Sequence, residues 1–261
     1  FDVLGCAVDP RKIENLEKGK KTLWANMGIN QLHLPEESEA QVLAGTIVMH
    51  YPSLSSLKKR LASPPAVLQG TKFAWEESGG GLRVTCPWGN QFHILGGDAY
   101  CRDPRGRQPG DPSEPLGMPE LRICVRFGSN MGGIQRFYES VMGAPADLHG
   151  VGGDATVTVH CGEGQRLIFE QAREEEEVFH SDYHVSMYIR DLPGTFKRAE
   201  DLGLIFVNPR FKRKARTLEE AVDQCMFRVL DVVDPQEGPS AGPILQLEHE
   251  IRSTVNRDGT P

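Results

Sequence analysis

The sequence predicts a mixed α+β chain built from a repeated unit of one strand, one helix and about three further strands. Three observations lead there. Apolar residues recur at helical spacing only in a few short segments, the clearest being Ile134, Phe137, Tyr138, Val141 and Met142. Between those segments lie short runs of β-branched and aromatic residues bounded by Gly and Pro. Several of the runs also resemble one another, in the same order along the chain.

The elements follow in sequence. Val3-Leu4-Gly5-Cys6-Ala7-Val8-Asp9 parallels Val141-Met142-Gly143-Ala144-Pro145-Ala146-Asp147. Each reads as a helix end with Gly just beyond it, followed by a short strand. The second copy has its whole helix; the first shows only a last turn. The first unit is therefore expected to be truncated, with its opening strand and most of its helix lying before Phe1. Gly28-Ile29-Asn30-Gln31-Leu32-His33-Leu34 resembles Gly89-Asn90-Gln91-Phe92-His93-Ile94, both reading Asn-Gln-apolar-His-apolar. On a strand, Gln and His then share one face and the apolar residues the other.

A third repeat is a strand feeding a helix. Residues 45–52 lead into a helical pattern over 53–61, and 183–189 lead into one over 191–203. Asp191 suits an N-cap and Gly203 the position just past a helix end. Strands are expected at 73–76, 82–86 and 91–95 after the first of these helices. After the second they are expected at Phe206-Val207, 226–233 and 244–251. The unit is thus used four times, the first copy truncated, and two units together make a plausible globular domain.

The segment 99–118 holds four Pro and three Gly with little apolar periodicity, the composition of an extended, solvated linker. The expected organisation is a first domain at 1–98, a linker at 99–116, a second domain at 117–253 and a tail at 254–261. Glu174 to Glu177 read as a solvated turn.

Composition bounds the function. Of the 261 residues, 39% are hydrophobic and 25% charged, enough apolar content for a core. The formal charge of -7 disfavours a general nucleic-acid binder. No apolar run approaches the roughly 18–20 residues needed to cross a bilayer. The six cysteines, Cys6, Cys86, Cys101, Cys124, Cys161 and Cys225, form no CxxC pair. They read as mostly reduced thiols of an intracellular protein, in the cytoplasm or in an organelle such as a plastid or mitochondrion. The chain opens on Phe1, so a targeting segment in a precursor is not visible.

Residues 134–143 (IQRFYESVMG), 183–203 (YHVSMYIRDLPGTFKRAEDLG) and 86–95 (CPWGNQFHIL) carry a resemblance to the vicinal oxygen chelate superfamily, which includes glyoxalase I, extradiol dioxygenases, fosfomycin-resistance enzymes and bleomycin-binding proteins. Cys86 stands where the family usually has Asp. The resemblance implies an α+β fold of four βαβββ units paired into two domains in tandem, each pair curling around a cavity. It also implies metal ligands on the first and last strands of each unit. Open metal positions there take two neighbouring substrate oxygens.

Transferred to this chain, those positions fall on His33, Thr46 and His93 in the first domain. In the second they fall on Arg122, Glu170, His184 and Glu248. His33, His93, His184, Glu170 and Glu248 are the candidate ligands for a divalent metal such as Zn, Ni, Mn or Fe, and Glu170 and Glu248 the candidate general bases. A structural reading stands beside each. The two His line a cavity hydrogen-bonded by Gln31 and Gln91. Arg122 takes the cation's place and pairs with Glu170 or Glu248. His50 shares a strand face with Thr46 and either joins the site or is a packed or surface His. Trp24, Asn26 and Trp75 are placed to line the first cavity or to fill core and turn positions.

Other signals are weaker. Asn130-Met131-Gly132-Gly133 lacks phosphate-loop spacing, and Gly79-Gly80-Gly81 reads as a hairpin turn. Arg210, Lys212, Arg213, Lys214 and Arg216 form a basic run in an insertion. It is either a solvated loop or a contact for an acidic partner, and a homo-oligomer also remains open. Two functions follow. One is a glyoxalase-like, metal-dependent lyase or isomerase acting on a small carbonyl substrate, ranked above a dioxygenase. The other is a non-catalytic binding or structural subunit with a degenerate cavity. Either takes a small-molecule ligand.

Overall fold

The structure is a computed structural model that describes residues 1–19, 21–97, 112–180, 182–238, 240 and 242–256. The chain folds as two compact units, Phe1–Ile123 with Gly162–Leu167, and Cys124–Cys161 with Ile168–Pro261.

The first unit begins with β1 (Ala7–Val8), α1 (Pro10–Glu17), β2 (Thr22–Met27) and β3 (Asn30–Pro35), the strands forming an antiparallel sheet in the order β1-β2-β3. Ahead of β1 the Gly5 amide donates to the Phe1 carbonyl at 2.8 Å, a single helical turn. Gly5 ends that turn at φ +67°, and Gly143 ends its own helix at φ +69°. Both glycines take the left-handed conformation that L side chains rarely adopt. The helix α1 was not expected. Asp9 starts it by accepting from the Arg11 amide at 2.8 Å, and Pro10 opens its first turn.

The strands β4 (Gly45–Tyr51), β5 (Ala74–Ser78), β6 (Gly81–Thr85), β7 (Gln91–Gly96) and β8 (Gly117–Val125) then line up in the order β5-β6-β7-β4-β8. Here β4 runs parallel to β7 and antiparallel to β8. Between β4 and β5 lies α2 (Ser55–Ala62). Its Leu57 and Leu61 join Ile47, Met49, Tyr51, Leu82, Val84, Phe92 and Ile94 in one buried cluster. Strand residues alternate faces. The helix therefore covers those apolar side chains and leaves Thr46, Val48, Arg83, Thr85, Gln91 and His93 on the opposite face. Gly45 has no room for a side chain, since a Cβ there would sit 1.9 Å from the Arg122 carbonyl oxygen.

The expected linker at 99–116 falls partly outside the described residues, and so does the expected tail at 254–261. The described end of the linker is anchored rather than solvated. Ser113 is buried and its hydroxyl accepts from the Gly28 amide at 2.9 Å. Glu114 pairs with Arg60, whose Nε also donates to the Val3 carbonyl at 2.7 Å.

In the second unit α3 (Met131–Arg136) continues as a π-helical segment over Phe137–Met142. Asn130 caps it, accepting from the Gly133 amide at 2.8 Å and donating to Asp234 at 2.9 Å. The apolar stripe read from the sequence is buried in full. The strands β9 (Ala146–His149), β10 (Thr156–Gly162) and β11 (Gln165–Gln171) follow in spatial sequence, and the first residues of β11 belong to the other unit.

The chain then gives β12 (His184–Ile189), α4 (Leu192–Asp201), α5 (Leu218–Gln224), β13 (Met226–Val232) and β14 (Leu245–Ser253), with strand order β12-β14-β13. As with β4 and β7, the opening strand β12 runs parallel to the closing strand β14. Asp191 caps α4, as its sequence predicts, accepting from the Gly194 amide at 2.9 Å. The strand expected at Phe206-Val207 reduces to a single bridge between Ile205 and Val229, beside a Phe206 amide donating to the Arg228 carbonyl. The segment after it turns away to start α5, which a Thr217/Glu220 capping box opens.

Candidate functional site

Two rows of side chains cross the face of the first unit's five strands that lies opposite α2. Directly opposed residues on paired strands share a face. Glu76 opposes Arg83, Arg83 opposes His93, His93 opposes Val48, and Val48 opposes Glu120. One step along, Thr85 opposes Gln91, Gln91 opposes Thr46, and Thr46 opposes Arg122. Thr46 and Arg122, which the resemblance assigns to two different cavities, are thus cross-strand partners. Arg122 donates to Glu120 through Nε at 3.2 Å and a terminal nitrogen at 2.9 Å, and Arg166 pairs with the other oxygen of the same carboxylate. Gln91 bonds to Thr85 and to the Gly89 carbonyl. Burial, then the Arg83 and Arg122 guanidiniums, push His93 below the ordinary imidazole value, against the pull of Glu120.

His33 lies on β3 of the three-stranded sheet, whereas His93 lies on β7. His33 stacks on Trp24, its cross-strand partner, with centroids 4.3 Å apart and planes 8° from parallel. Its Nε2 lies 2.7 Å from the Gln31 side-chain oxygen. Gln31 in turn donates to Asn26 at 2.6 Å and to the buried Asp9 at 2.7 Å. Lys12 Nζ sits 3.6 Å from the Trp24 centroid. The expected hydrogen bond between Gln and His is present at His33. The hydrogen-bonded Arg11 side chain is the main reason the Asp9 carboxyl stays well below the usual range.

The polar centre of the second unit lies on one face of β12, β14 and β13. His184 opposes Glu248, and Arg228 opposes Glu250. Arg228 is only 4% exposed, and its two terminal nitrogens pair separately with Glu248 and Glu250. The second oxygen of Glu248 accepts from Asn208 at 2.6 Å, and the second oxygen of Glu250 accepts from Arg252. Phe211 covers the Arg228 guanidinium at 3.9 Å and meets the His184 ring edge to face at 5.4 Å. Burial alone would raise the Glu250 carboxyl, but Arg228 and Arg252 outweigh it and hold it low. Burial and then Arg228 push His184 below the ordinary imidazole value, against the pull of Glu250 and Glu248. Glu170 lies on β11, in a different sheet from His184 and Glu248. Its charge adds to burial in raising the Cys124 thiol.

These donor sets do not fit the divalent metal that the fold family implies. Both oxygens of Glu248 and both of Glu250 are already bonded. A dication about 5 Å from the Arg228 guanidinium would meet roughly 6–7 kcal/mol of repulsion at an effective dielectric of about 20. Among the described residues no three His, Cys, Asp or Glu side chains gather around a common point. Arg228 is a guanidinium paired with Glu248, and Arg122 pairs with Glu120.

Sequence reasoning missed Arg228, Glu250, Asn208, Phe211, Arg83 and Glu120. One signal was available. Met226-Phe227-Arg228-Val229-Leu230 places a lone guanidinium in an otherwise apolar strand, and a cation in that setting calls for carboxylate partners.

No protein-family model matches the chain, and no curated protein matches it. Solved structures do. A candidate dioxygenase from Bacillus subtilis aligns with a TM-score of 0.55 at 14% identity, covering 99% of this chain and 81% of its own. A glyoxalase I mutant from Zea mays aligns with a TM-score of 0.50 at 11% identity, covering 93% of this chain and 81% of its own.

Proposed function

The chain carries the vicinal oxygen chelate fold, and from that premise we propose that it is a glyoxalase-like protein serving as a non-catalytic binding or structural subunit. Arginine side chains supply the counter-charge to its buried carboxylates, which supports this reading. The carrying observation is Arg228, buried between Glu248 and Glu250. A tethered guanidinium neutralises those carboxylates and supplies no open position for a substrate oxygen.

The lyase or isomerase reading assigns Glu248 as general base. Both of its oxygens accept hydrogen bonds, from Arg228 and Asn208, and that charge-assisted pairing stabilises the carboxylate and weakens it as a base. A small-molecule ligand for the cavity remains part of the proposal.

The test is direct. The purified chain is incubated in turn with Zn²⁺, Ni²⁺, Mn²⁺ and Fe²⁺, desalted and analysed for metal. Less than about 0.1 equivalent is expected. The hemithioacetal of methylglyoxal and glutathione should not turn over. A stoichiometric metal that disappears in His33→Ala, His93→Ala or His184→Ala would overturn the proposal.

We extend the proposal to partners and location. No helix is long and apolar enough to cross a membrane among the described residues. The five described cysteines are free thiols, which supports a reducing, intracellular compartment. Arg210, Lys212, Arg213 and Arg216 are exposed on a loop that Phe211 and Ala215 anchor from beneath. That display suits an acidic protein surface. Its binding should weaken with salt and disappear when the four exposed cations are changed to Gln.

A further inference from the structure

We propose that the face of the first unit bearing Arg83 and His93 binds a small oxyanion, a carboxylate or a phosphate. The inference rests on the ligand-binding reading above and names the ligand's chemistry.

Arg83 and His93 face each other across β6 and β7, with backbones about 5 Å apart. Neither side chain has a hydrogen-bond or ion-pair partner among the described residues. Arg83 is exposed and His93 half-buried, so one is open to solvent and the other has lost part of its hydration. An unpartnered guanidinium beside an unpartnered imidazole offers several N–H donors over one small area. A carboxylate or phosphate is the group that such a fork pairs with most strongly.

The surrounding charge points the same way. The two cross-strand rows and Arg166 together carry three guanidiniums, Arg83, Arg122 and Arg166, against two carboxylates, Glu120 and the Glu76 that opposes Arg83 on β5, which leaves a net positive charge. Arg122 and Arg166 both bond the Glu120 carboxylate, which is only 12% exposed. It is therefore committed to them rather than to Arg83. The field that disfavours a charged imidazole at His93 favours an anion there and repels a metal dication. Thr46, Thr85 and Gln91 on the adjoining row add neutral polar groups beside the pair. With one guanidinium and one imidazole at its centre, the patch suits a single charged group rather than a polyanion.

The experiment uses the full chain in chloride buffer at constant ionic strength. Inorganic phosphate and oxalate are titrated in, followed by calorimetry and by the His93 imidazole NMR signals. Saturable 1:1 binding that moves the His93 signals below about 20 mM ligand is expected. Arg83→Gln, an exposed substitution that leaves the core intact, should weaken it about tenfold or more. Glu120→Gln should tighten it about threefold or more by removing the opposing charge. Preference for oxalate assigns a carboxylate ligand, and preference for phosphate a phosphorylated one. No saturation, or an unchanged response in Arg83→Gln, overturns the inference. No metal enters this titration. Its failure in a chain that also takes up no metal sinks the oxyanion site alone, whereas stoichiometric metal uptake sinks the reading it rests on.

Discussion

The Tyr138 hydroxyl and His249 Nε2 share a hydrogen bond at 2.7 Å, with both residues wholly buried between the π-helical segment and β14. Burial pushes the Tyr138 phenol well up and the His249 imidazole down to about 4. Neutral His249 is thus part of the folded core, and its cost appears on acidification. Above a pH of about 6.5 the imidazole is neutral in both folded and unfolded chains. As pH falls from there towards 4, only the unfolded chain takes up the proton, so stability drops. The loss from this residue should reach about 3 kcal/mol near pH 4. Denaturant titrations of the parent and His249→Gln over that range should show a shallower slope in the variant. Equal slopes would mean that His249 is already charged in the fold.

Removing the Arg228 guanidinium leaves two buried carboxylates without their shared counter-charge. Arg228→Met should cost about 3–5 kcal/mol at neutral pH, the usual penalty for uncompensated buried charge. Because the variant can then protonate Glu248 or Glu250, its deficit should shrink at pH 5. Combining it with Glu248→Gln and Glu250→Gln should recover much of the stability. Urea midpoints of the parent and the two variants decide the matter, and a deficit independent of pH would refute it.

Gly45 sits at φ +150° with the Arg122 carbonyl in its side-chain space. Gly45→Ala should therefore displace the start of β4 from β8 and lower stability by more than about 3 kcal/mol. Thermal unfolding reads this out, and a melting point within a degree or two of the parent's would contradict the close approach.

Phe211 holds the basic loop down by covering a buried guanidinium, a contact of about 2 kcal/mol when desolvated. Phe211→Ala should accelerate hydrogen exchange across 206–216 by about tenfold or more while leaving β12 and β14 protected. Uniform exchange in both proteins would show that other contacts fix the loop.

Much of this architecture could be read from residue order, and the reasons are local. Gly5 and Gly143 punctuate two helix ends because the left-handed position excludes most other residues. The repeated Gln-apolar-His places His33 and His93 on the closing strands β3 and β7, since a period of two fixes their face. The helix α1 escaped because Ile13 and Leu16 alone make a short apolar stripe, although Asp9-Pro10 is a start signal.

The site was harder to read. A search for metal ligands weighs imidazoles and carboxylates, and so singles out Glu248 and His184. It passes over Arg228, some twenty residues away along the chain, which decides what those groups do. Pairing across β13 and β14 joins them, and the intervening residues 233–244 hide that register from any short motif.

A cation that belongs to the polypeptide cannot be leached by a chelator, diluted away or exchanged for a competing ion. The β12-β14-β13 sheet, with Arg228 bonded to both acidic side chains, carries the counter-charge to Glu248 and Glu250 in its own sequence. Its folding should proceed the same way in a metal-starved cell as in a replete one.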